Sequence, residues 1–234
     1  MPTTPTPTSA DPAAALARRV AVHHALADPH RLRVVDALAL SDRTPGELVD
    51  ELGIASSLLA FHLDVLEDAG VVARHRSRGD GRRRYVTLAA GALAAVPDAG
   101  PTPVTAERVL FACTHNAARS QLAAALWTSR TGRPAWSAGS DPAPAVHPLA
   151  VAAGRRRGLD LAPATPRGWE DVDVAPDLVV SVCDLAREGA PPFGAPLLHW
   201  SLPDPAADGT PDAFDAVAEE LARRVGRLAR AVAA

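Results

Sequence analysis

Residues 108–127 read RVLFACTHNAARSQLAAALW, and this stretch decides the fold of the second half of the chain. Its first five residues, RVLFA, are typical of a buried strand. From Arg119 to Arg130 the pattern indicates a helix. A cysteine therefore ends a predicted strand, and an arginine six positions later begins a predicted helix.

The loop between this strand and helix has the composition of an oxyanion-binding turn. At the carboxyl edge of a parallel sheet, backbone N–H groups can point inward with the positive end of the next helix behind them. The Arg119 fork can hold two anion oxygens, and the same field is expected to keep the Cys113 sulfur ionised as a nucleophile. Ser120 could donate a hydrogen bond to that sulfur, and Asn116 could tie the loop together. The predicted oxyanion loop comprises Thr114, His115, Asn116, Ala117, Ala118, Arg119 and Ser120.

The rest of the second half alternates strands with helices. A cysteine and an arginine six positions apart form a short pattern that chance can produce. A strand before the pair and a helix after it make the site prediction more specific. Alternation of this kind is typical of an α/β domain with a parallel sheet covered by helices on both faces. The predicted strands are PAWSAG (134–139), DLVVSVCD (177–184) and APLLHWSL (195–202), and the predicted helices run from His147 to Arg157 and from Asp212 to Ala231.

The first half predicts a winged helix-turn-helix. Four helices are expected, and the third has Thr44 as N-cap with Glu47 completing a capping box. Two alternating runs joined by a turn rich in Gly and Asp then indicate a β-hairpin, the wing. The predicted helices are 13–26, one from Pro29 onward, 44–52 and one from Ser56 or Ser57 to Ala69, and the predicted hairpin strands are 71–75 and 83–88.

Composition sets the domain count and the compartment that we expect. A length of 234 residues with 47% hydrophobic residues suits two modest domains. The chain shows neither a secretory leader nor an apolar run long enough to span a membrane, and two cysteines are too few for a secreted disulfide scaffold, so we expect a cytoplasmic, reduced protein. The predicted organisation is a disordered tail (1–12), a winged helix-turn-helix DNA-binding domain (13–90), a linker (91–104) and an α/β domain (105–234).

The first half resembles the regulators of the arsenical-repressor (ArsR) type. The motifs that carry the resemblance are ALADPHRLRVVDAL (25–38), GELVDELGI (46–54), LAFHLDVLEDAGVV (59–72) and GRRRYVTL (81–88). A winged helix would place its fourth helix in the major groove of an operator and its wing on the backbone or in the minor groove. The resemblance also implies a homodimer formed through the winged-helix domain. The expected DNA contacts are Ser56, Ser57, His62, Arg78, Arg82, Arg83 and Arg84.

Two observations limit what this domain is expected to do. Residues 1–100 hold 11 arginines and 12 acidic residues, so this half has no overall positive charge to attract DNA. A winged helix retained only for dimerisation or packing therefore stays an alternative. This half has no cysteine, so it lacks the thiols with which familiar arsenical repressors bind arsenite. We expect His23, His24 and His30 to be surface or partly packed residues and predict no metal site.

The second half resembles arsenate reductases of the low-molecular-weight tyrosine phosphatase family. The motifs are VLFACTHNAARSQLAAALW (109–127), SAGS (137–140), VHPLAVAAGRRRGLDL (146–161), DLVVSVCD (177–184) and HWSLPDPAADGTPDAFDAVAEEL (199–221). The resemblance implies the low-molecular-weight phosphatase fold with a four-stranded parallel sheet. It also implies that Cys113 attacks the oxyanion, Arg119 binds it, and Asp204, before Pro205, protonates the leaving oxygen. Taken alone, an Asp-Pro pair is an ordinary turn.

Reductase and phosphatase use the same loop, so other residues decide between them. Ala206 and Ala207 replace the aromatic residues with which phosphatases flank a phosphotyrosine ring, which favours arsenate as substrate with phosphate as a competing anion. Cys183 could attack the arsenic adduct of Cys113, although a lone cysteine in an apolar strand is commonly a small buried hydrophobe. A low-molecular-weight phosphatase, or a transcription factor that uses the pocket only as a sensor, remains an alternative.

The expected reductant follows from a missing cysteine. Thioredoxin-coupled reductases carry a third cysteine where this chain has Ala190 before Pro191. The resemblance therefore points to the mycothiol-dependent type, and a thiol-disulfide reductase is the expected partner. We expect no bound cofactor but an external thiol reductant, mycothiol/mycoredoxin-like or thioredoxin-like.

Overall fold

The computed structural model describes residues 12–92, 104–173 and 175–233. Most of the predicted tail and of the predicted linker lies outside the described residues. Pro12, at the end of the tail prediction, begins the first helix. Among the described residues, no helix is both long and apolar enough to cross a membrane.

The first domain is a winged helix-turn-helix, as the sequence predicts. Its third helix begins with the predicted capping box, in which the Thr44 hydroxyl accepts from the Glu47 N–H and the Glu47 carboxylate accepts from the Thr44 N–H. The antiparallel hairpin pairs Val72 with Leu88 and Arg76 with Arg84. The elements are α1 (Pro12–Leu26), α2 (Pro29–Leu38), α3 (Pro45–Leu52), α4 (Ser56–Asp68), β1 (Val72–Arg76) and β2 (Arg84–Leu88).

The second domain is α/β with a four-stranded parallel sheet, which confirms the predicted class. The strand order is β5-β4-β6-β7. The sheet strands are β4 (Val109–Cys113), β5 (Ala135–Gly139), β6 (Leu178–Ser181) and β7 (Leu197–His199). The helices are α5 (Arg119–Thr131), α6 (Pro148–Arg155), α7 (Asp184–Glu188), α8 (Pro205–Asp208) and α9 (Pro211–Ala231), with a 3-10 turn at Trp169–Asp171.

Alternation along β4 divides the core between the two faces of the sheet. Val109 and Phe111 face a core that includes residues of α5 and α9, whereas Leu110 and Ala112 face a smaller cluster that includes Trp136. Because both faces of β4 are covered, all five of its residues are buried. This burial fixes the strand that leads into the Cys113 loop.

Four short elements are absent from the sequence prediction. Strands β3 (Val104–Thr105) and β8 (Val232–Ala233) pair in parallel and bring the start and end of the domain together. Helices α7 and α8 contain five and four residues. Segments this short span too little of a helical or strand period to leave a pattern.

The two domains pack against each other through a buried polar interface. Arg224 on α9 pairs with Asp42 in the first domain at 2.9 Å, with both side chains less than 10% exposed. Asp42 also accepts a hydrogen bond from the Ser201 N–H, and the Trp200 indole donates to the Leu40 carbonyl. The sequence predicts both domains but not this interface.

Candidate active site and DNA-facing surface

Cys113 ends strand β4 and lies buried at the mouth of the loop. Its sulfur is 2.9 Å from the Ser120 hydroxyl oxygen and accepts a hydrogen bond from the Asn116 N–H at 3.2 Å. The N-terminus of α5 begins six residues later, at Arg119. These dipoles stabilise negative charge at the sulfur, so the geometry suits a thiolate nucleophile.

The backbone of the loop is held by an outer segment, residues 141–147. Loop carbonyls accept hydrogen bonds of 2.8–2.9 Å from N–H groups of that segment. Because these carbonyls are held on the outer side, the loop can direct amides inward, as the Asn116 N–H shows at the Cys113 sulfur. The outer pairs are Asp141 N to Thr114 O, Ala143 N to His115 O and His147 N to Ala117 O.

Asn116 holds the loop together from inside. Its φ of 47° lies in the left-handed region, which asparagine tolerates better than most residues. Its side chain donates to the Ser120 hydroxyl at 2.8 Å and accepts from Gln121 and from the Arg167 N–H. The sequence predicts the role of Asn116 within the loop but gives no indication of Gln121.

Gly139 is a second site residue that is absent from the sequence prediction. It ends β5 and pairs with Cys113 in the sheet. A Cβ atom there would lie 2.3 Å from the Thr114 carbonyl oxygen and 2.9 Å from the Asn116 nitrogen. Only glycine therefore allows this close approach of strand and loop. The sequence marks Gly139 through its place in the SAGS motif, which is part of the family resemblance.

The structure brings Asp204 to Arg119. The Arg119 guanidinium donates to the Leu202 carbonyl at 3.1 Å and pairs with the Asp204 carboxylate at 3.2 Å. Arg119 is buried, whereas the Asp204 side chain is 40% exposed and caps α8. An arginine fixed in this way beside a more accessible carboxyl can bind an anion while the carboxyl delivers a proton.

Cys183 lies on the other side of the loop. Its sulfur is 3.5 Å from the Thr114 hydroxyl and accepts from the Ala186 N–H at the start of α7. Burial, and then the negative charge of Cys113, raise the pKa of the Cys183 thiol, while Arg119 acts in the opposite direction. Burial therefore favours the protonated form of the Cys183 thiol.

The second domain has an established family. The family model for low molecular weight phosphotyrosine protein phosphatases matches residues 108–234, just over half of the chain. The chain belongs to this family. A helix-turn-helix domain model also matches residues 26–75.

Individual relatives divide between the two domains. An arsenate reductase of Brevibacillus brevis is 34% identical over 127 residues, covering 52% of this chain and 92% of the relative. An uncharacterised helix-turn-helix transcriptional regulator of Mycobacterium tuberculosis is 38% identical over 86 residues, covering 36% of this chain and 68% of that protein. The crystal structure of an arsenate reductase from Archaeoglobus fulgidus has a TM-score of 0.47 and 32% identity, and covers 52% of this chain and 98% of its own.

In this member of the low molecular weight phosphatase family, small side chains lie at the rim of the site, after the Asp204-Pro205 pair. Ala206 and Ala207 are exposed after the Asp204-Pro205 pair, and His115 lies on the other side with its Nδ1 atom 3.0 Å from the Asp141 carbonyl. Small side chains after Pro205 leave little surface for an aromatic ring to pack against.

The helix-turn-helix domain presents only some of the predicted DNA contacts. Ser56 and Ser57 are exposed at the start of α4, and Arg82, Arg83 and Arg84 are exposed on the wing. His62 is 4% exposed and faces the domain interior, so its predicted place in the major groove is wrong. Its position on α4 puts it on the same helical face as Leu59 and Leu66, which are core residues.

The wing turn contacts the second domain. The Arg78 N–H donates to the Asp184 carboxylate at 2.8 Å, although the Arg78 side chain is exposed. The Ser77 hydroxyl and the Asp80 N–H both donate to Glu188. The backbone of the wing turn is therefore held against α7, while the Arg78 side chain stays exposed.

Proposed function

We propose that the chain is an arsenate reductase fused to a winged-helix transcriptional regulator. The observation that carries the reductase assignment is the position of Cys183, whose sulfur is 3.5 Å from Thr114 of the Cys113 loop. A phosphatase needs only one nucleophilic thiol, whereas reduction needs a source of two electrons. The name of the Brevibacillus relative supports the same assignment.

In the first step, the Cys113 thiolate attacks the arsenic atom of arsenate held by the loop amides and Arg119. A sulfur–arsenic bond forms, one arsenic–oxygen bond breaks, and Asp204 gives the leaving oxygen its proton. Its position beside Arg119 places the Asp204 carboxyl next to an anion that this guanidinium holds. Phosphate has the same shape and charge and is expected to compete.

In the second step, a second thiolate attacks the Cys113 sulfur. A disulfide bond forms, the sulfur–arsenic bond breaks, and its electron pair leaves with arsenic as arsenite; two thiolates are oxidised while arsenic(V) becomes arsenic(III).

The attacking thiol is either Cys183 or an external small thiol. Where thioredoxin-coupled reductases carry a third cysteine, this chain has Ala190, whose φ of 50° lies in the left-handed region, before Pro191. An internal relay through three cysteines is therefore impossible. We infer an external mycothiol/mycoredoxin-like or thioredoxin-like reductant, which restores the free thiols of both cysteines. This need for reduced thiols favours the cytoplasm.

The deciding experiment compares two reactions in the same protein. Arsenate-dependent thiol oxidation is measured with a mycothiol–mycoredoxin system and with thioredoxin, beside hydrolysis of an aryl phosphate. We expect arsenate turnover that is abolished in Cys113→Ser. Cys183→Ser separates the routes: turnover with mycothiol persists if the external thiol attacks and is lost if Cys183 does. Fast phosphate release without thiol oxidation would instead identify a phosphatase, and neither activity would favour a sensor.

We propose that the first domain binds an operator as a homodimer. Exposed Ser56 and Ser57 begin α4, and the exposed wing arginines Arg82, Arg83 and Arg84 supply positive charge for phosphate contacts. In a DNA titration, alanine at each phosphate-contacting wing arginine should weaken binding on all sequences and lower the salt slope by about one.

A further inference from the structure

His62 is a buried imidazole without a hydrogen-bond partner. It is 4% exposed, and neither ring nitrogen has a partner among the described residues. Buried polar groups in native structures are nearly always paired, because an unpaired one loses its contact with water without compensation. A leucine would fill this position on α4 at no such cost. The unpaired ring nitrogens therefore require another explanation.

Two further metal-ligating side chains surround this imidazole. One ligand atom each from Asp28, His30 and His62 can be chosen so that all three lie within 4.8 Å of one another. The His62 Nδ1 atom is 3.9 Å from the Asp28 Oδ1 atom, and the His30 and His62 rings stack with centroids 5.3 Å apart. Small side-chain adjustments can bring such atoms to the distances of about 2.0–2.2 Å at which nitrogen and carboxylate oxygen bind Zn²⁺.

We propose that Asp28, His30 and His62 form a binding site for a divalent transition-metal ion of the Zn²⁺ class. Two imidazole nitrogens and one carboxylate oxygen suit such an ion, and three protein ligands leave a fourth tetrahedral position for water. This proposal contradicts the expectation that the domain binds no metal. It also gives His62 a role other than a DNA contact.

The protonation states and fixed positions of the ligands favour binding. Burial lowers the pKa of His62, which leaves its ring neutral with a lone pair free for a metal; the nearby Asp28 charge acts in the opposite direction. The hydrogen bond from the Arg31 N–H lowers the pKa of Asp28, which keeps its carboxylate ionised. Asp28 is already fixed as the N-cap of α2, where it accepts from the N–H groups of His30 and Arg31.

Arg31 is a nearby cation that could oppose the ion. Its Nη1 atom lies 3.9 Å from the Asp28 Oδ2 atom, a long ion pair. Its Nε and Nη2 atoms instead donate to the carbonyls of Ala25 and His24. The guanidinium is therefore directed mainly at the end of α1, which leaves the carboxylate available to a metal.

A metal at this site would connect the start of α2 to the middle of α4. Because α4 carries Ser56 and Ser57, the bound ion would fix the orientation of the helix that faces DNA. Metal occupancy is thus expected to change DNA binding without any contact between the ion and the duplex.

The test uses the full chain with both cysteines replaced by serine, so that thiolates cannot bind the ion. Zn²⁺ is titrated by calorimetry into the metal-stripped protein, and Co²⁺ is added for the visible absorption of a tetrahedral site. We expect one equivalent per chain. Asp28→Asn, which keeps the helix cap, and His30→Ala should each weaken Zn²⁺ binding at least about tenfold, the loss that even an outer-shell change can cause.

Two controls separate this site from a structural role of His62. His23→Ala, an exposed histidine on α1, should bind Zn²⁺ as the parent does. His62→Leu should lose Zn²⁺ binding while keeping or raising the metal-free Tm, because the leucine fills a buried position without a polar group. Zn²⁺ binding that is present in the natural chain but disappears when the two cysteines are replaced by serine would overturn the proposal. Zn²⁺ binding that is unchanged in both Asp28→Asn and His30→Ala would also overturn it.

Discussion

Gly139 controls how closely strand β5 approaches the nucleophile loop. In Gly139→Ala the new Cβ would lie 2.3 Å from the Thr114 carbonyl oxygen, so the loop must shift. A displacement of about 1 Å at a catalytic group can cost about 100-fold in rate, and we expect a fall of that order in arsenate turnover. Turnover is compared with Gly81→Ala, where an added Cβ meets nothing within 4 Å. Equal turnover in the two variants would remove Gly139 from the site.

Single residues differ in how far the sequence reveals them. Cys113 and Arg119 could be predicted because their chemistry and their spacing lie within one short loop. Gly139 and Gln121 act through partners brought near by folding, so local spacing carries no sign of them. The prediction for His62 was wrong because it followed the polar residue type, whereas the helical spacing puts His62 on the same face as Leu59 and Leu66.

Helix α1 presents apolar side chains to solvent. Leu16 and Val20 are 59% and 58% exposed and lie four residues apart, on one face of the helix. Such a face is expected to be covered in the proposed homodimer. Leu16→Glu combined with Val20→Glu should shift the chain to a monomer in sedimentation equilibrium. Leu185→Glu, which adds charge at a similarly exposed leucine of the second domain, should leave the mass unchanged. A dimer that survives the double change would exclude α1 from the interface.

Long or fully buried elements were predictable from their sequence patterns. Helix α9 has 21 residues and a strong apolar face, and strand β4 is buried throughout, so each leaves a clear pattern. The parallel order of the sheet follows from the alternation of strands and helices. The pairing of β3 with β8 joins segments about 130 residues apart through two residues each, and no local pattern encodes it.

The domain interface is the feature of the whole molecule that the sequence did not reveal. Asp42 and Arg224 are 182 residues apart, and each is an ordinary surface residue by type. Asp42→Ala leaves Arg224 buried with one carboxylate partner fewer, and we expect a loss of about 3 kcal/mol in the free energy of unfolding. Urea unfolding followed by circular dichroism measures it. Arg156→Ala, which removes an exposed ion pair with Asp215, should cost less than about 1 kcal/mol.

The same interface holds the wing turn against the second domain. The wing amide of Arg78 is held by Asp184, the residue directly after Cys183. Burial acts to raise the pKa of Asp184, but hydrogen bonds from His199 and from the Arg78 N–H outweigh it and hold the pKa below its ordinary value. The contact is therefore fully present at neutral pH and is lost only as the pH falls through this lowered pKa.

Release of the wing should strengthen DNA binding. Ser77→Ala removes a hydrogen bond to Glu188 without changing the charge, and Glu188→Gln weakens the same contact from the other side. We expect the docked wing to bind DNA less well than the released wing, so each variant should bind a duplex selected from a random pool about fivefold more tightly, the low end of typical coupling between sites. Fluorescence anisotropy at fixed salt measures the affinity.

Oxidation of Cys183 should alter wild-type DNA affinity more than that of Ser77→Ala, because Cys183 begins the helix that holds the wing. Identical affinities in all three proteins would show that the wing and the active site act independently.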